Sequence, residues 1–212
     1  MIFTNFLKFI PKIVKQKLIG EEAHQKMSPP ERLAFIHKID PTTFNPRKAA
    51  VMMLFYPKNR ETHLVLILRN AYSGVHSSQI GFPGGKVEVF DVSMQATALR
   101  ETHEEIGISP KQITVVKAFS ELYIPPSNFS VLPFLGYSDE ELIFNPDPRE
   151  VFGIIELSLL DLLDDNNFTT QVMETSYMKE VELPVFKFGE NIVWGATAMM
   201  LSELKEVLKK VI

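Results

Sequence analysis

A double glycine followed by a strongly acidic amphipathic helix constrains this chain more than any other feature. The stretch reads Gly84-Gly85-Lys86 and then, past a short loop, Arg100-Glu101-Thr102-His103-Glu104-Glu105-Ile106-Gly107. Asp91 or Ser93 is placed to cap a helix running to about Ile106, and Gly107 suits the residue that closes one. Each helical residue advances about 100°, so Glu101, Glu104 and Glu105 fall within roughly a 100° arc. Ala98, Leu99, Thr102 and Ile106 take the neighbouring, core-facing arc. Like charges crowded on one helix face repel unless a cation lies among them. Hard divalent ions take oxygen ligands and join a few carboxylates to substrate phosphates. The pattern points to metal-dependent phosphate chemistry; an isolated Glu-Glu pair would be read as a solvated surface.

Around this helix the sequence predicts strands. Two apolar runs, Ala49 to Tyr56 and Thr62 to Arg69, are separated by Pro57-Lys58-Asn59-Arg60 and read as a hairpin. Residues 70–90 show little regular pattern. Further strands are predicted at Gln112 to Ser120, Val131 to Tyr137, Val151 to Ser158, Phe168 to Glu174 and Leu183 to Phe188. A short helix follows Leu159, and a last one covers Ala196 to Lys210. Strands surrounding a central helix, with helices at the end, predict an α/β sandwich around a mixed β-sheet. Two segments divide the chain: residues 1–45 as an N-terminal helical arm and loop, and 46–212 as the main domain.

The first 19 residues are apolar and basic, but Lys8, Pro11, Lys12, Lys15 and Lys17 interrupt them and no small-residue cleavage site follows. Phe3, Phe6, Leu7, Ile10, Ile13 and Val14 recur at helical spacing. They predict a helix docked on its own domain or on a second subunit, which leaves a homodimer or transient membrane contact open but no stable membrane insertion. The formal charge of −4 and pI near 5.8 argue against a general nucleic-acid binder. There are no cysteines, which excludes thiolate nucleophiles and zinc-thiolate sites and suits a cytoplasmic location.

Gly85 to Ile108 resembles the Nudix box, G-x5-E-x7-R-E-U-x-E-E-x-G-U, with U a bulky apolar residue. The second half fits apart from Thr102 at a U position. In the first half the glutamate position falls on Asp91, and eight residues rather than seven precede Arg100. Asp91 is therefore open to two assignments, box acid or helix cap. Leu66-Ile67-Leu68-Arg69 and the run from His76 through Gln79-Ile80-Gly81-Phe82-Pro83 to Gly84-Gly85 look like the added signature of the coenzyme A pyrophosphatase branch of the Nudix superfamily. Gly74 and Ser78 stand where one version of that signature has Arg and Gly. Asn145 to Val151 and Ile192 to Ala198 are similar to the same branch.

The resemblance implies a Nudix-type α/β/α sandwich. It also implies an enzyme that uses Mg²⁺ or Mn²⁺ to hydrolyse the diphosphate of CoA, a small-molecule nucleotide, to 3′,5′-ADP and 4′-phosphopantetheine. The alternatives are another nucleoside diphosphate derivative, such as ADP-ribose or a dinucleotide, and a non-catalytic nucleotide-binding module. Glu101, Glu104 and Glu105 are the implied metal ligands, with the Gly85 carbonyl as another, and Glu101 is one candidate general base. Glu150 is a further acid or base, or a surface residue. Arg69, His76, Gly84 and Gly85 are expected at the substrate, Arg69 with a solvated strand end as its alternative. Arg100 is expected to brace the glutamates. Phe82, Tyr123 and Trp194 are candidates for stacking on a base, with core packing favoured for Trp194.

Overall fold

The computed structural model describes residues 1–29, 41–70, 79–173 and 180–212. Strands β1 (Arg47–Lys58) and β2 (Glu61–Arg69) make the predicted hairpin, but they extend further into the turn. Asn59 and Arg60 alone reverse the chain, both with positive φ, the two-residue geometry that matches strand twist. The pair is in register only near this turn, from Phe55↔Leu64 to Lys58↔Glu61. Beyond it the strands part and later chain inserts between them. Strand β3 (Ile80–Gly81) pairs with β2, and β4 (Gly84–Lys86) pairs with β1 through Ala49↔Lys86, Ala50↔Gly85 and Val51↔Gly84. Met52 N–H donates to the Pro83 carbonyl at 2.9 Å between these patches. Glycine-rich strands this short carry no hydrophobic period, so the sequence predicts irregular chain there.

Strands β5 (Thr114–Ala118), β6 (Leu122–Ile124), β7 (Phe129–Tyr137) and β8 (Val151–Ser158) complete the main sheet. β7 runs parallel to β1 from Arg47↔Phe129 to Phe55↔Tyr137, and the other pairings are antiparallel, so the sheet is mixed. β6, which the sequence pattern does not predict, holds Tyr123 and Ile124. The strand predicted from Gln112 is shorter at both ends, Gln112 lying in a 3₁₀ turn. A separate three-stranded sheet holds β9 (Phe168–Met173), β10 (Val181–Phe188) and β11 (Asn191–Val193).

β1 is apolar on both faces because both are covered. Ala50, Met52, Leu54 and Tyr56 pack with Ala98 and Ile106 of the acidic helix, Met94–Ile106. Ala49, Met53 and Phe55 pack with Leu201, Leu204 and Leu208 of the C-terminal helix, Gly195–Lys209. Among the described residues the helices are, in chain order, α1 (Phe3–Leu7), α2 (Ile10–Lys15), α3 (Glu21–Gln25), α4 (Met94–Ile106), α5 (Leu159–Leu163) and α6 (Gly195–Lys209). The result is an α/β/α sandwich, with α4 on one face and α6 with the N-terminal segment on the other.

The single N-terminal helix of the sequence pattern is instead two short ones. Pro11 stands in the first turn of α2, where its missing N–H is tolerated. Phe3, Phe6 and Ile13 are buried in the same cluster as the α6 leucines, so these helices dock on their own domain. Burying a side chain such as Phe6 is worth about 1.5–3 kcal/mol. One fully buried carboxylate fastens the segment. Glu203 of α6 accepts from Gly20 N–H at 2.7 Å, Ser120 Oγ at 2.6 Å and Ser120 N–H at 3.2 Å, and faces His24 Nε2 at 3.4 Å. Burial alone would raise the Glu203 carboxyl, but the donors together outweigh it and hold it at about 2. Among the described residues no helix is long and apolar enough to cross a membrane.

Candidate active site

Helix α4 begins at Ser93, whose hydroxyl accepts from Ala96 N–H at 3.1 Å. Ser93 is thus the cap and Asp91 has other work. Both Asp91 oxygens accept from Arg100, from Nε and Nη2 at 2.9 Å each, and Oδ2 also takes Glu88 N–H and Thr97 Oγ1 at 2.9 Å. This fork-on-fork pairing holds the Asp91 carboxyl well below the usual range, chiefly through Arg100. Arg100 Nη1 donates to Glu101 and to Glu104 at 2.8 Å each, and Nη2 to the Lys86 carbonyl at 3.0 Å. Arg100 therefore braces two of the glutamates, as its place in the motif implies. The extra loop residue before the helix lets the shorter Asp91 reach it from one turn outside.

The three glutamates do not share one solvated face. The side chain of Glu104 is 56 % exposed and that of Glu101 14 %, whereas Glu105 as a whole is 1 % exposed. The helical arc places Glu105 next to Ala98 and Thr102, and α4 is rolled far enough to bury it with them. Its Oε2 accepts from Gly84 N–H at 2.7 Å, and its Oε1 lies 3.1 Å from Arg69 Nη2. Burial outweighs these partners and pushes its carboxyl up to about 7, with Glu101 and Glu150 adding repulsion. Glu101 is raised for the same leading reason. Glu150, in the turn leading into β8, is thus an electrostatic neighbour of both; its carbonyl accepts from Asn70 N–H at 3.0 Å.

The glycines make this approach possible. A Cβ on Gly85 would lie 2.5 Å from the Glu101 carboxylate, and one on Gly84 would lie 2.4 Å from the Ala50 carbonyl oxygen. Gly84 also has φ +153°, which side chains resist. Arg69 is no solvated strand end: Nη2 donates to the Gly84 carbonyl at 2.8 Å besides facing Glu105. His76, Gly74 and Ser78 lie outside the described residues. His103 is exposed on the far side of α4.

On the sheet face opposite α4 a cleft of about 270 Å³ opens beside Gly84, Gly85, Lys86 and Arg69. Its floor is apolar, from Ala49 and Val51 of β1, Ile124, and Phe129 and Val131 of β7, and the start of α6 closes one side. Phe82 lines it while remaining buried. Tyr123 and Trp194 do not line it. Tyr123 instead stacks near Phe44 and donates its hydroxyl to Asn128 at 3.1 Å. The contribution of α6 and β7 was not visible in the motif, because these residues are ordinary core formers until the β1–β2 divergence leaves a gap above them.

The donor set at α4 fits a hard divalent cation, being all oxygen and electrostatically frustrated. Among the described residues, no three acidic or histidine side chains stand close enough to ligate one ion as placed. Arg100 and the Gly84–Arg69 pair occupy the carboxylate oxygens instead.

The fold is an α/β/α sandwich with a glycine-flanked acidic helix on one face of the main sheet and an apolar cleft on the other. Residues 46–175 match the NUDIX domain model, and the chain belongs to the Nudix family. It is 33 % identical over 177 residues to Nudix hydrolase 22, chloroplastic, of Arabidopsis thaliana, covering 80 % of this chain and 58 % of that protein. It is 31 % identical over 170 residues to Nudix hydrolase 15, mitochondrial, of the same plant, covering 76 % and 59 %. The chain thus spans under two thirds of the length of these relatives. In fold it is similar to a MutT/nudix family protein from Enterococcus faecalis, with a TM-score of 0.54, 19 % identity, and coverage of 92 % of this chain and 76 % of that one.

Proposed function

We propose that the protein hydrolyses the diphosphate of coenzyme A or an acyl-CoA to 3′,5′-ADP and 4′-phosphopantetheine, with Mg²⁺ or Mn²⁺ held by Glu101, Glu104 and Glu105. One observation carries the reaction type: a buried carboxylate, Glu105, kept at about 7 beside the double glycine at the mouth of an apolar cleft. A desolvated, under-paired carboxylate behind a glycine loop that lines a cleft is the kind of group functional sites use. The CoA assignment draws its support from the segment Gln79 to Gly85, which resembles that branch and forms the cleft wall beside Arg69.

When bound, the cation neutralises the diphosphate and lowers the pKa of a water. The protein's own groups do the rest. Asp91 and Arg100 fix the pitch of Glu101 and Glu104, and the Gly84 N–H and Arg69 fix Glu105. Glu101, partly buried and facing the glycine loop, is the candidate to accept the proton as water attacks phosphorus and the bridging P–O bond breaks. The apolar floor holds the nucleoside.

The experiment is product analysis by mass spectrometry of CoA, ADP-ribose, NADH and a diadenosine polyphosphate incubated with protein and Mg²⁺ or Mn²⁺. Release of 3′,5′-ADP and phosphopantetheine, abolished by chelation, is expected. Cleavage of another substrate alone would retain the family chemistry and reject CoA. Turnover of none would point to a binding module.

A further inference from the structure

β1 alternates, so Arg47, Ala49 and Val51 share the cleft-facing side, and Arg47 stands beyond the two that form its floor. Arg47 is the register partner of Phe129, another floor residue, and its guanidinium carbon sits 4.0 Å from that ring's centroid. Nη2 donates to the Ser127 carbonyl at 2.9 Å, so the head group is anchored at the rim. The two cations that line the cleft are engaged. Arg69 is bound to Gly84 and Glu105, and Lys86 Nζ lies 3.5 Å from Glu88. Among the described residues, Arg47 has no carboxylate partner. A fixed guanidinium stacked on an aromatic wall, with donors left over and no counter-charge among the described residues, is suited to a phosphate.

The spacing is informative. Ala50 pairs with Gly85, at the acidic-helix end of the cleft, and Arg47 is three residues away along β1. At about 3.3 Å per residue that is roughly 10 Å between backbone positions, which a ribose carrying a diphosphate on one oxygen and a phosphate on another spans together with the side chains that hold them.

We propose that Arg47 forms a subsite for a second phosphate, carried on the ribose of the substrate and separate from the diphosphate being cleaved. This rests on the CoA reading above and adds to it a residue that tells CoA from dephospho-CoA. The discrimination is read in kcat/KM, because binding energy from a remote group is expressed in either parameter.

The test compares kcat and KM for CoA and dephospho-CoA in the wild type, Arg47→Ala and Arg47→Lys. It adds calorimetric binding of 3′,5′-ADP and 5′-AMP to the same proteins. The expectation is that Arg47→Ala lowers kcat/KM for CoA by about 10- to 100-fold, as suits loss of one charge-assisted contact. Dephospho-CoA turnover should stay within about twofold, which also verifies the fold, and Arg47→Lys should recover part of the loss. An equal loss on both substrates, or none on CoA, overturns the subsite while leaving CoA hydrolysis in place. If the wild type cleaves neither compound, the parent reading fails, and binding decides the subsite by itself. Tighter binding of 3′,5′-ADP than of 5′-AMP that disappears in Arg47→Ala supports it, and no such difference overturns it.

Discussion

Among the described residues two glutamates are almost wholly shut from solvent, and they meet opposite fates. Glu203, on α6, is surrounded by the Gly20 and Ser120 amides, the Ser120 hydroxyl and His24, and stays ionised down to about pH 2. Glu105, on α4, has one amide and one shared arginine against burial and the charges of Glu101 and Glu150, and titrates near 7. The first is a satisfied joint between elements far apart in sequence. The second is held in a place where its charge is poorly paid for by protein alone. Burial alone does not distinguish structure from function; the completeness of the donor set does.

The largest effect expected from breaking this contrast is on turnover. Glu105→Gln removes the charge but keeps the shape. It should lower kcat by about 10³-fold or more, within or above the range for loss of a positioned carboxylate. Metal-free, at pH 8, its thermal stability should match or exceed that of the wild type, because the ionised carboxylate is disfavoured there. A large drop in melting temperature would mean that Glu105 is a structural residue after all.

Glu203→Ala should behave in reverse. Removing the acceptor leaves buried donors unpaired and should cost about 3 kcal/mol, read from urea unfolding, with activity at low temperature largely kept. The sign of its pH dependence follows from its lowered value. An unfolded glutamate titrates near 4.5, so the native state gives up this proton more readily, and the stabilisation is complete above that pH. It is lost as pH falls from about 4.5 towards 2, by about 3 kcal/mol. In Glu203→Ala that part of the acid destabilisation should disappear; an unchanged acid limb would refute the network.

A smaller effect is expected at Asp91. Asp91→Ala frees Arg100 to collapse onto Glu101 and Glu104, and should raise the metal concentration needed for half-maximal rate about tenfold, consistent with loss of a supporting contact. Ser93 still caps the helix, so the circular dichroism spectrum should not change. An unaltered metal requirement would reduce Asp91 to a loop anchor.

Much of this was legible in the sequence, and the omissions have physical causes. The hairpin, α4 and α6 are long and strongly periodic, and α4 carries its own cap and closing glycine. The strands β3 and β4 are too short and glycine-rich for any period. β1, covered on both faces, has a continuous apolar run that identifies a strand but not which residues face the cleft. The acidic set was legible as a set; its three environments were not, because the roll of α4 depends on sheet contacts. Asp91 was ambiguous because capping and clamping both ask for an acid before a helix. Arg47 precedes the predicted strand, and nothing in the sequence places it beside Phe129.

The most direct test of the account is the Mn²⁺-dependence of thermal stability in the wild type and in Glu105→Gln, measured side by side without substrate. A ligand at a hundredfold its Kd stabilises by about 2.7 kcal/mol, so the wild type should rise by several degrees. Glu105→Gln should rise by little or nothing. An equal rise in both proteins, or none in the wild type, would contradict the claim that the strain on Glu105 is there to receive a cation.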